Sequence, residues 1–235
     1  MLTALHVRNS LRCLMLAMLP LMSCSLDSRP KASELPKVWY SRAAACSGER
    51  GVVLLIDKSI STVRANRLWA FKEAGKDFIM SPPGEFYFAL HAFDNNFWKL
   101  TRMSALEDSQ KKLAVSKLKH LAADGSTVLI TALNEAGYLL KAFSPGCKDI
   151  IMFTDGDTND PQHLGDALAH HFKASGVTLS VAVLDDGQNL TGYRRMTSET
   201  GGFFVRSSQA NQFIRLVQKA AKAFFDNSEP LPQNE

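Results

Sequence analysis

The stretch VVLLIDKSIS, residues 52–61, decides how the rest of this chain is interpreted. Its first five residues are apolar and mostly β-branched, which is typical of a strand buried on both faces of a parallel sheet. The run ends at Asp57, and Ser59 and Ser61 follow at alternate positions. Three oxygen-bearing side chains at this spacing on a loop can converge on one point, and such hard donors suit a hard divalent cation. The alternative interpretation is an ordinary turn, because aspartate and serine are also turn formers.

Apolar runs that resemble strands alternate with helical patterns along the rest of the chain. Strands are predicted at 85–93, 148–154, 177–184 and 203–206, with a short antiparallel partner for the first of these at 97–101. Helices are predicted at 65–80, 104–122, 128–143, 161–176, 190–200 and 209–225, the second of them opened by Ser104 and Glu107 at capping-box spacing. This alternation indicates an α/β fold: a doubly wound, mostly parallel central sheet with helices on both faces and one antiparallel edge strand.

The N-terminal residues have the pattern of a bacterial export signal. Two arginines and no acidic residue precede an apolar core at 14–22 that is too short to span a bilayer. The sequence LMSC that follows resembles a lipobox, in which a small residue precedes a lipidated cysteine. We therefore predict a signal peptide at 1–23 and lipidation of Cys24, with Ser25 favouring the outer membrane. The alternatives are a cleaved signal without lipid and an uncleaved anchor.

The remaining residues divide into a tether, one domain and a tail. Residues 24–49 are predicted to be the lipidated N-terminus and tether, 50–226 one domain, and 227–235 a disordered tail. The formal charge is +4, including Arg8 and Arg12 of the predicted signal, so the mature chain is near +2. Because this charge is small and no basic stripe with interleaved aromatics occurs, a nucleic-acid partner is not expected. Membrane contact is expected only through the lipid anchor.

Two cysteines remain if Cys13 leaves with the signal and Cys24 carries the lipid. Cys46 and Cys147 each lie shortly before a predicted buried strand, and export would permit a disulfide between them. If the two strands are parallel neighbours, both cysteines lie at the same edge of the sheet. Two free thiols are the alternative.

Two of the predicted buried strands end in an aspartate, Asp57 and Asp155. Ligands of open α/β sheets bind at the carboxyl ends of the strands, where the strand order reverses. Thr127 lies in the loop before a helix that leads into the strand of Asp155. If the two strands are adjacent, these three residues could share one site with Ser59 and Ser61.

Three motifs together resemble a von Willebrand factor type A domain with a metal-ion-dependent adhesion site (MIDAS). IDKSIS at 56–61 matches the family's Asp-x-Ser-x-Ser, and IIMFTDG at 150–156 matches its hydrophobic-Thr-Asp-Gly strand end. DGSTVLITAL at 124–133 resembles its Gly-Gly-Thr loop and following helix. Ile60 stands where many bacterial members have glycine, and Ser126 replaces the second glycine of the loop. Neither departure removes a ligand.

The resemblance implies a site and a way of using it. It places the strands at 52–57 and 148–154 side by side, which also supports the disulfide. It implies direct metal ligation by Ser59, Ser61 and Thr127, with Asp57 and Asp155 acting mainly through water. The expected metal is Mg²⁺, with Mn²⁺ or Ca²⁺ possible. A carboxylate of a partner protein is then expected to fill the open coordination position.

Further polar residues are predicted near the same edge of the sheet. A partner rim could be formed by Asp94, Asn95, Asn96, Asp157, Asp160 and Asp185, although such residues are also ordinary loop formers. Trp98 is a candidate aromatic anchor for the partner, and burial is the alternative.

The leading functional hypothesis is a non-enzymatic, metal-dependent protein-binding module of the bacterial cell envelope. It would be exported and lipid-anchored, at the outer membrane facing the periplasm or the surface. One alternative is a metal-independent structural subunit of an envelope assembly. Another is a metal-dependent hydrolase using Asp57 or Asp155, which is disfavoured because the sequence has no Walker loop, no dinucleotide motif and no accompanying His or Cys nucleophile arrangement.

Overall fold

The computed structural model describes residues 38–40, 48–82, 84–158, 162–185 and 190–226, without the side chains of 38–40 and 162–165. The predicted signal peptide, lipidation site Cys24, Cys46, Asp160 and the tail at 227–235 lie outside the described residues and stay predictions. Among the described residues, no helix is both long enough and apolar enough to cross a membrane.

Eight strands in the described part of the chain form one sheet. They are β1 Val38–Tyr40, β2 Arg50–Asp57, β3 Tyr87–Phe93, β4 Phe97–Lys99, β5 Ser104–Ala105, β6 Cys147–Thr154, β7 Val177–Leu184 and β8 Phe203–Ser207. The order across the sheet is β1-β8-β7-β6-β2-β3-β4, and β5 also pairs with β3. The four central pairings, from β8 to β3, are parallel, whereas β1, β4 and β5 are antiparallel to their neighbours.

Helices cover both faces of this sheet. A 3₁₀ segment, Ile60–Asn66, leads into α1 Arg67–Met80, and the other helices are α2 Asp108–Lys119, α3 Leu129–Phe143, α4 Gln162–Ala174, α5 Thr191–Thr200 and α6 Ala210–Phe225. Successive residues of β2 point to opposite faces, so Leu54 packs in the core beneath α1, α2 and α6, and Leu55 in the core beneath α3, α4 and α5. The predicted doubly wound α/β fold is confirmed.

Two short strands depart from the prediction. β1 lies inside the predicted tether and pairs with β8, so the sheet begins before residue 50. Ser104 does not cap α2, because it pairs with Phe88 in β5 and the helix begins only at Asp108. Three- and two-residue strands are hard to recognise from sequence because the partner strand, rather than a local pattern, stabilises them.

The centre of the sheet brings the two aspartate-ending strands together. β2 and β6 are parallel neighbours, with Ile56 opposite Phe153, so Asp57 is level with Thr154 and next to Asp155. At the other end of the same pair, Cys147 is opposite Arg50 and donates its backbone N–H to the Glu49 carbonyl oxygen at 3.0 Å. This position at the amino end of β6 agrees with a bridge to Cys46, which stays a prediction.

Candidate metal centre

The Asp57 carboxylate lies at the carboxyl end of β2, completely buried. Its Oδ1 accepts hydrogen bonds from the backbone N–H of Ser59 at 2.9 Å and from the Ser59 hydroxyl at 2.6 Å. Its Oδ2 accepts a hydrogen bond from the hydroxyl of Thr154 on the neighbouring strand at 2.7 Å. Three short hydrogen bonds therefore fix both oxygens of this side chain.

The Ser59 hydroxyl is close to that of Ser61, with 3.0 Å between their oxygen atoms. Ser59 is buried, and Ser61 is partly exposed. The Ser59 hydroxyl therefore contacts both the Asp57 carboxylate and the Ser61 hydroxyl, which links the three residues of the i, i+2, i+4 pattern.

The loop that carries Thr127 is hydrogen bonded to the loop after β2. The Asp124 backbone N–H donates to the Lys58 carbonyl at 2.7 Å, and the Ile60 N–H donates to the Gly125 carbonyl at 3.0 Å. Gly125 has φ +67°, and a Cβ there would overlap the Asn95 side-chain oxygen, so glycine is required. Thr127 itself is buried, two residues beyond this contact.

Asp155 directly follows β6 and is also completely buried. Its Oδ2 lies 3.3 Å from Nη1 of Arg67, the first residue of α1, and its Oδ1 accepts a hydrogen bond from the Asp157 N–H at 3.2 Å. The Arg67 side chain is almost fully buried as well. A buried ion pair therefore joins α1 to the end of β6.

Burial and the nearby charge of Asp155 raise the pKa of Asp57 to about 7. Hydrogen bonds from Ser59 and Thr154 oppose this effect only in part. Two carboxylates buried near one another repel when both are ionised, and a divalent cation held at this centre would offset that cost.

The charge of Lys58 is directed away from Asp57, although the two residues are adjacent in sequence. Its buried Nζ donates to Asp94 Oδ2 and lies 5.2 Å from the centre of the Trp98 ring. The other oxygen of Asp94 accepts hydrogen bonds from the Asn96 N–H and the Trp98 indole N–H, at 2.6 Å and 3.1 Å. This cluster fixes the β3–β4 hairpin to the loop after β2.

The predicted rim therefore needs correction at two residues. Asp94 is buried in the cluster with Lys58, and Asp185 is buried with its Oδ2 3.2 Å from Arg206 Nη2. Neither carboxylate is available to a partner, because each is neutralised by a cation from another element. Asn95, Asn96 and Asp157 are exposed, so their place in a partner rim stays a prediction, and Trp98 is about half exposed, at 45%.

The residues present fit a hard divalent cation. Two buried carboxylates and the hydroxyls of Ser59 and Ser61 provide oxygen donors in one place, and Thr127 lies in the adjoining loop. Among the described residues, no group of three or more His, Cys, Asp or Glu side chains is arranged for a metal. The candidate centre depends instead on combining carboxylates with hydroxyls.

Comparison with known sequences gives limited information. No family model matches the chain. Calcium-activated chloride channel regulator 1 of Sus scrofa is 27% identical over 114 residues, which are 48% of this chain and 12% of that protein. The chain thus matches only a small part of that relative's length.

Solved structures identify the fold. A von Willebrand factor type A protein from Catenulispora acidiphila superposes with a TM-score of 0.69 at 16% identity, over 83% of this chain and 51% of that one. This chain has the von Willebrand factor type A fold. The same fold relates it to the pilus adhesin SpaC from Lactobacillus rhamnosus GG, with a TM-score of 0.64 and 15% identity over 80% of this chain and 32% of the adhesin. Proximal thread matrix protein 1 of the mussel byssus, solved with a zinc-occupied MIDAS motif, also has this fold. It superposes with a TM-score of 0.59 at 20% identity, over 81% of this chain and 48% of that one.

Three residues of this type A fold's centre were missed from the sequence. Thr154 donates to Asp57 and lies directly before Asp155 in the motif IIMFTDG. Once β2 and β6 are taken as neighbours, the register that puts Thr154 level with Asp57 is the signal that could have identified it. Lys58 lies within IDKSIS itself, but the sequence does not show the direction of its side chain. Arg67 pairs with a residue 88 positions away, and no local pattern indicates that contact.

Proposed function

We propose that this protein is a metal-dependent protein-binding module of the bacterial cell envelope. The observation that carries the proposal is the pair of buried carboxylates, Asp57 and Asp155, at the ends of adjacent parallel strands with two serine hydroxyls beside them. Arg67 neutralises only Asp155, so Asp57 is costly to bury in its ionised form without a further cation. The oxygen donors of the group are those that Mg²⁺, Mn²⁺ or Ca²⁺ prefer.

In this proposal Ser59, Ser61 and Thr127 hold the cation directly, and Asp57 and Asp155 act through water. A bound divalent cation would supply a Lewis-acidic position for the carboxylate of a partner protein. The chain's own residues position the hydroxyls: Asp57 orients Ser59 through two hydrogen bonds, and Ser59 contacts Ser61 in turn.

An exposed apolar surface beside the hydroxyls supports a protein partner. Ile60 and Val63 are 62% and 61% exposed, and they are three residues apart in a 3₁₀ segment, so their side chains lie on the same side of it. Large exposed aliphatic side chains next to a polar site favour contact with another protein. Ile60 thus presents an exposed apolar side chain beside the site, which a glycine at this position would lack.

The comparisons support the same class of function. SpaC is a pilus adhesin, and the mussel protein contains zinc at its MIDAS motif. We transfer from them only the idea of a metal-assisted adhesive contact, made here without catalysis. Export and a lipid anchor at Cys24, with the domain facing the periplasm or surface, complete the proposal.

Thermal unfolding of the purified protein tests the metal step. In Mg²⁺, Mn²⁺ or Ca²⁺ at a hundred times the dissociation constant, we expect about 2.7 kcal/mol of stabilisation relative to chelator. Thr127→Ala and Asp57→Ala should remove the shift, whereas Ser126→Ala, at an exposed neighbouring residue, should retain it. An equal shift in all four proteins would place the metal elsewhere.

Carboxylate capture is tested with acetate as the probe. With the site saturated by Mn²⁺, acetate should lower the water-proton relaxation rate, because it replaces a coordinated water. Binding of a natural partner that persists in chelator and in Thr127→Ala would favour the metal-independent structural subunit. Metal-dependent turnover of simple esters would favour the hydrolase.

A further inference from the structure

Arg67 is a full positive charge placed inside the candidate metal centre. Its guanidinium group lies 3.3 Å from Asp155 Oδ2, its side chain is 9% exposed, and the Asp155 side chain is not exposed at all. The planar guanidinium group is well suited to buried ion pairs with a carboxylate. The other buried cation nearby, Lys58, is committed to Asp94.

The backbone before Arg67 is held in an unusual conformation. Ala65 and Asn66 have φ values of 50° and 57°, so two consecutive residues other than glycine adopt left-handed geometry at the entrance of α1. Such residues are costly and persist only where the surrounding structure fixes them. They are the last two residues of the 3₁₀ segment and turn the chain into α1, which begins at Arg67.

The formal charges give Arg67 a consequence for binding. Asp57 and Asp155 contribute −2 when ionised, so a divalent cation alone would make the centre neutral. With Arg67 present, the empty centre has a charge of −1 and the loaded centre +1. A positive loaded centre repels the metal more and attracts an anionic partner group more than a neutral one does.

We propose that Arg67 is the resident counter-ion of this centre and sets its specificity, weakening the divalent cation while strengthening capture of a carboxylate. This inference rests on the proposed function, since it concerns the same two ligands. Arg67 also stabilises the buried Asp155 carboxylate when no metal is bound, because it neutralises that carboxylate.

The test compares Arg67→Met with Arg64→Met. Methionine keeps the length and removes the charge. Arg64, three residues earlier in the chain, is exposed and controls for a general loss of positive charge. Free Mn²⁺ is counted by electron paramagnetic resonance, and acetate binding is followed in saturating Mn²⁺. We expect Arg67→Met to bind Mn²⁺ about ten-fold or more tightly than the wild type and acetate correspondingly more weakly. Arg64→Met should change each affinity less than about two-fold, given screening at an exposed position.

A second readout separates this role from simple packing. In chelator, Arg67→Met should unfold at a lower temperature than Arg64→Met, because Asp155 is left without its cation, and saturating Mn²⁺ should remove that difference. Arg67→Lys, which keeps the charge, should stay near the wild type in Mn²⁺ affinity. If Arg67→Met does not fold, Arg67→Gln takes its place with the same expected direction.

Each outcome distinguishes the two proposals. Unchanged or weaker Mn²⁺ binding by Arg67→Met, with normal binding by the wild type, overturns the role of Arg67 and leaves the proposed function standing. Tighter Mn²⁺ binding with unchanged acetate binding overturns the specificity role. Mn²⁺ binding by the variant but not by the wild type supports Arg67 as an opposing charge and contradicts the proposed function. Binding by neither overturns both.

Discussion

Replacing Asp57 by asparagine should remove a loss of stability that the metal-free wild type undergoes as the pH rises. The pKa of Asp57 is raised from 3.8 to about 7, first by burial and then by the charge of Asp155. Each pKa unit corresponds to about 1.4 kcal/mol, so ionising Asp57 in the folded protein costs on the order of 4 kcal/mol.

The sign follows from where the proton is held. Between pH 3.8 and about 7 the folded protein retains a proton on Asp57 that the unfolded chain has already released. Raising the pH through this window therefore lowers the stability of the wild type, and the loss is complete above the folded pKa. Asparagine does not ionise, and its oxygen can still accept the Ser59 N–H, while the Thr154 hydroxyl can turn to accept from its amide.

Urea unfolding in chelator at pH 4 and pH 8 measures the effect. We expect the stability of Asp57→Asn minus that of the wild type to rise by up to about 4 kcal/mol from the lower to the higher pH. Other titrating groups, including Asp149, whose pKa burial raises to about 6, contribute to both proteins and cancel. In saturating Mn²⁺ at pH 8 the order should reverse, because only the wild type gains from the metal. A difference that stays constant with pH would refute burial of the ionised carboxylate as the source of the cost.

Three further predictions concern other parts of the molecule. Burial, followed by the charge of Lys99, lowers the pKa of His91 to about 4, so the wild type should lose up to about 3 kcal/mol relative to His91→Gln as the pH falls from 6.5 to 4 in urea unfolding. If Cys147 is disulfide-bonded to Cys46, Cys147→Ser should cost about 4–5 kcal/mol and make stability independent of reductant, whereas a wild type already indifferent to reductant would contradict the bridge. Val63→Ser should leave unfolding within about 0.5 kcal/mol of the wild type, because the side chain is 61% exposed, yet weaken pull-down of the natural partner.

The central parallel strands could be predicted from the sequence because burial on both faces of the sheet requires a continuous apolar run. β6 contains the apolar run 150–153 and β7 the apolar run 181–184, and the predicted span of β7, 177–184, agrees with the structure. The resemblance then provided what such runs do not contain, namely that β2 and β6 are neighbours. Because β2 and β6 are parallel neighbours, Asp57 and Asp155 lie together at the carboxyl end of this strand pair.

The charges around the centre could not be predicted in the same way. Asp94 and Asp185 were expected on the rim because loops contain aspartates, but their cations, Lys58 and Arg206, come from other elements. Arg67 could not be predicted for the same reason, because this residue of α1 pairs with Asp155, just beyond β6. Local pattern indicates which residues are buried in a core, whereas the neutralisation of a buried charge depends on contacts that only the folded chain makes.

The short strand β1 gives the sheet an unequal resistance to mechanical force. A pull on the segment before Val38 acts first on three residues paired antiparallel with β8 at the sheet edge, not on the parallel centre. This pairing has few hydrogen bonds, so it should open at low load and lengthen the connection to the rest of the protein. β2 and β6, each eight residues long and buried between two neighbours, would keep the candidate centre intact meanwhile. A domain held at its N-terminus and loaded at the candidate centre would thus extend under tension before the centre itself opens.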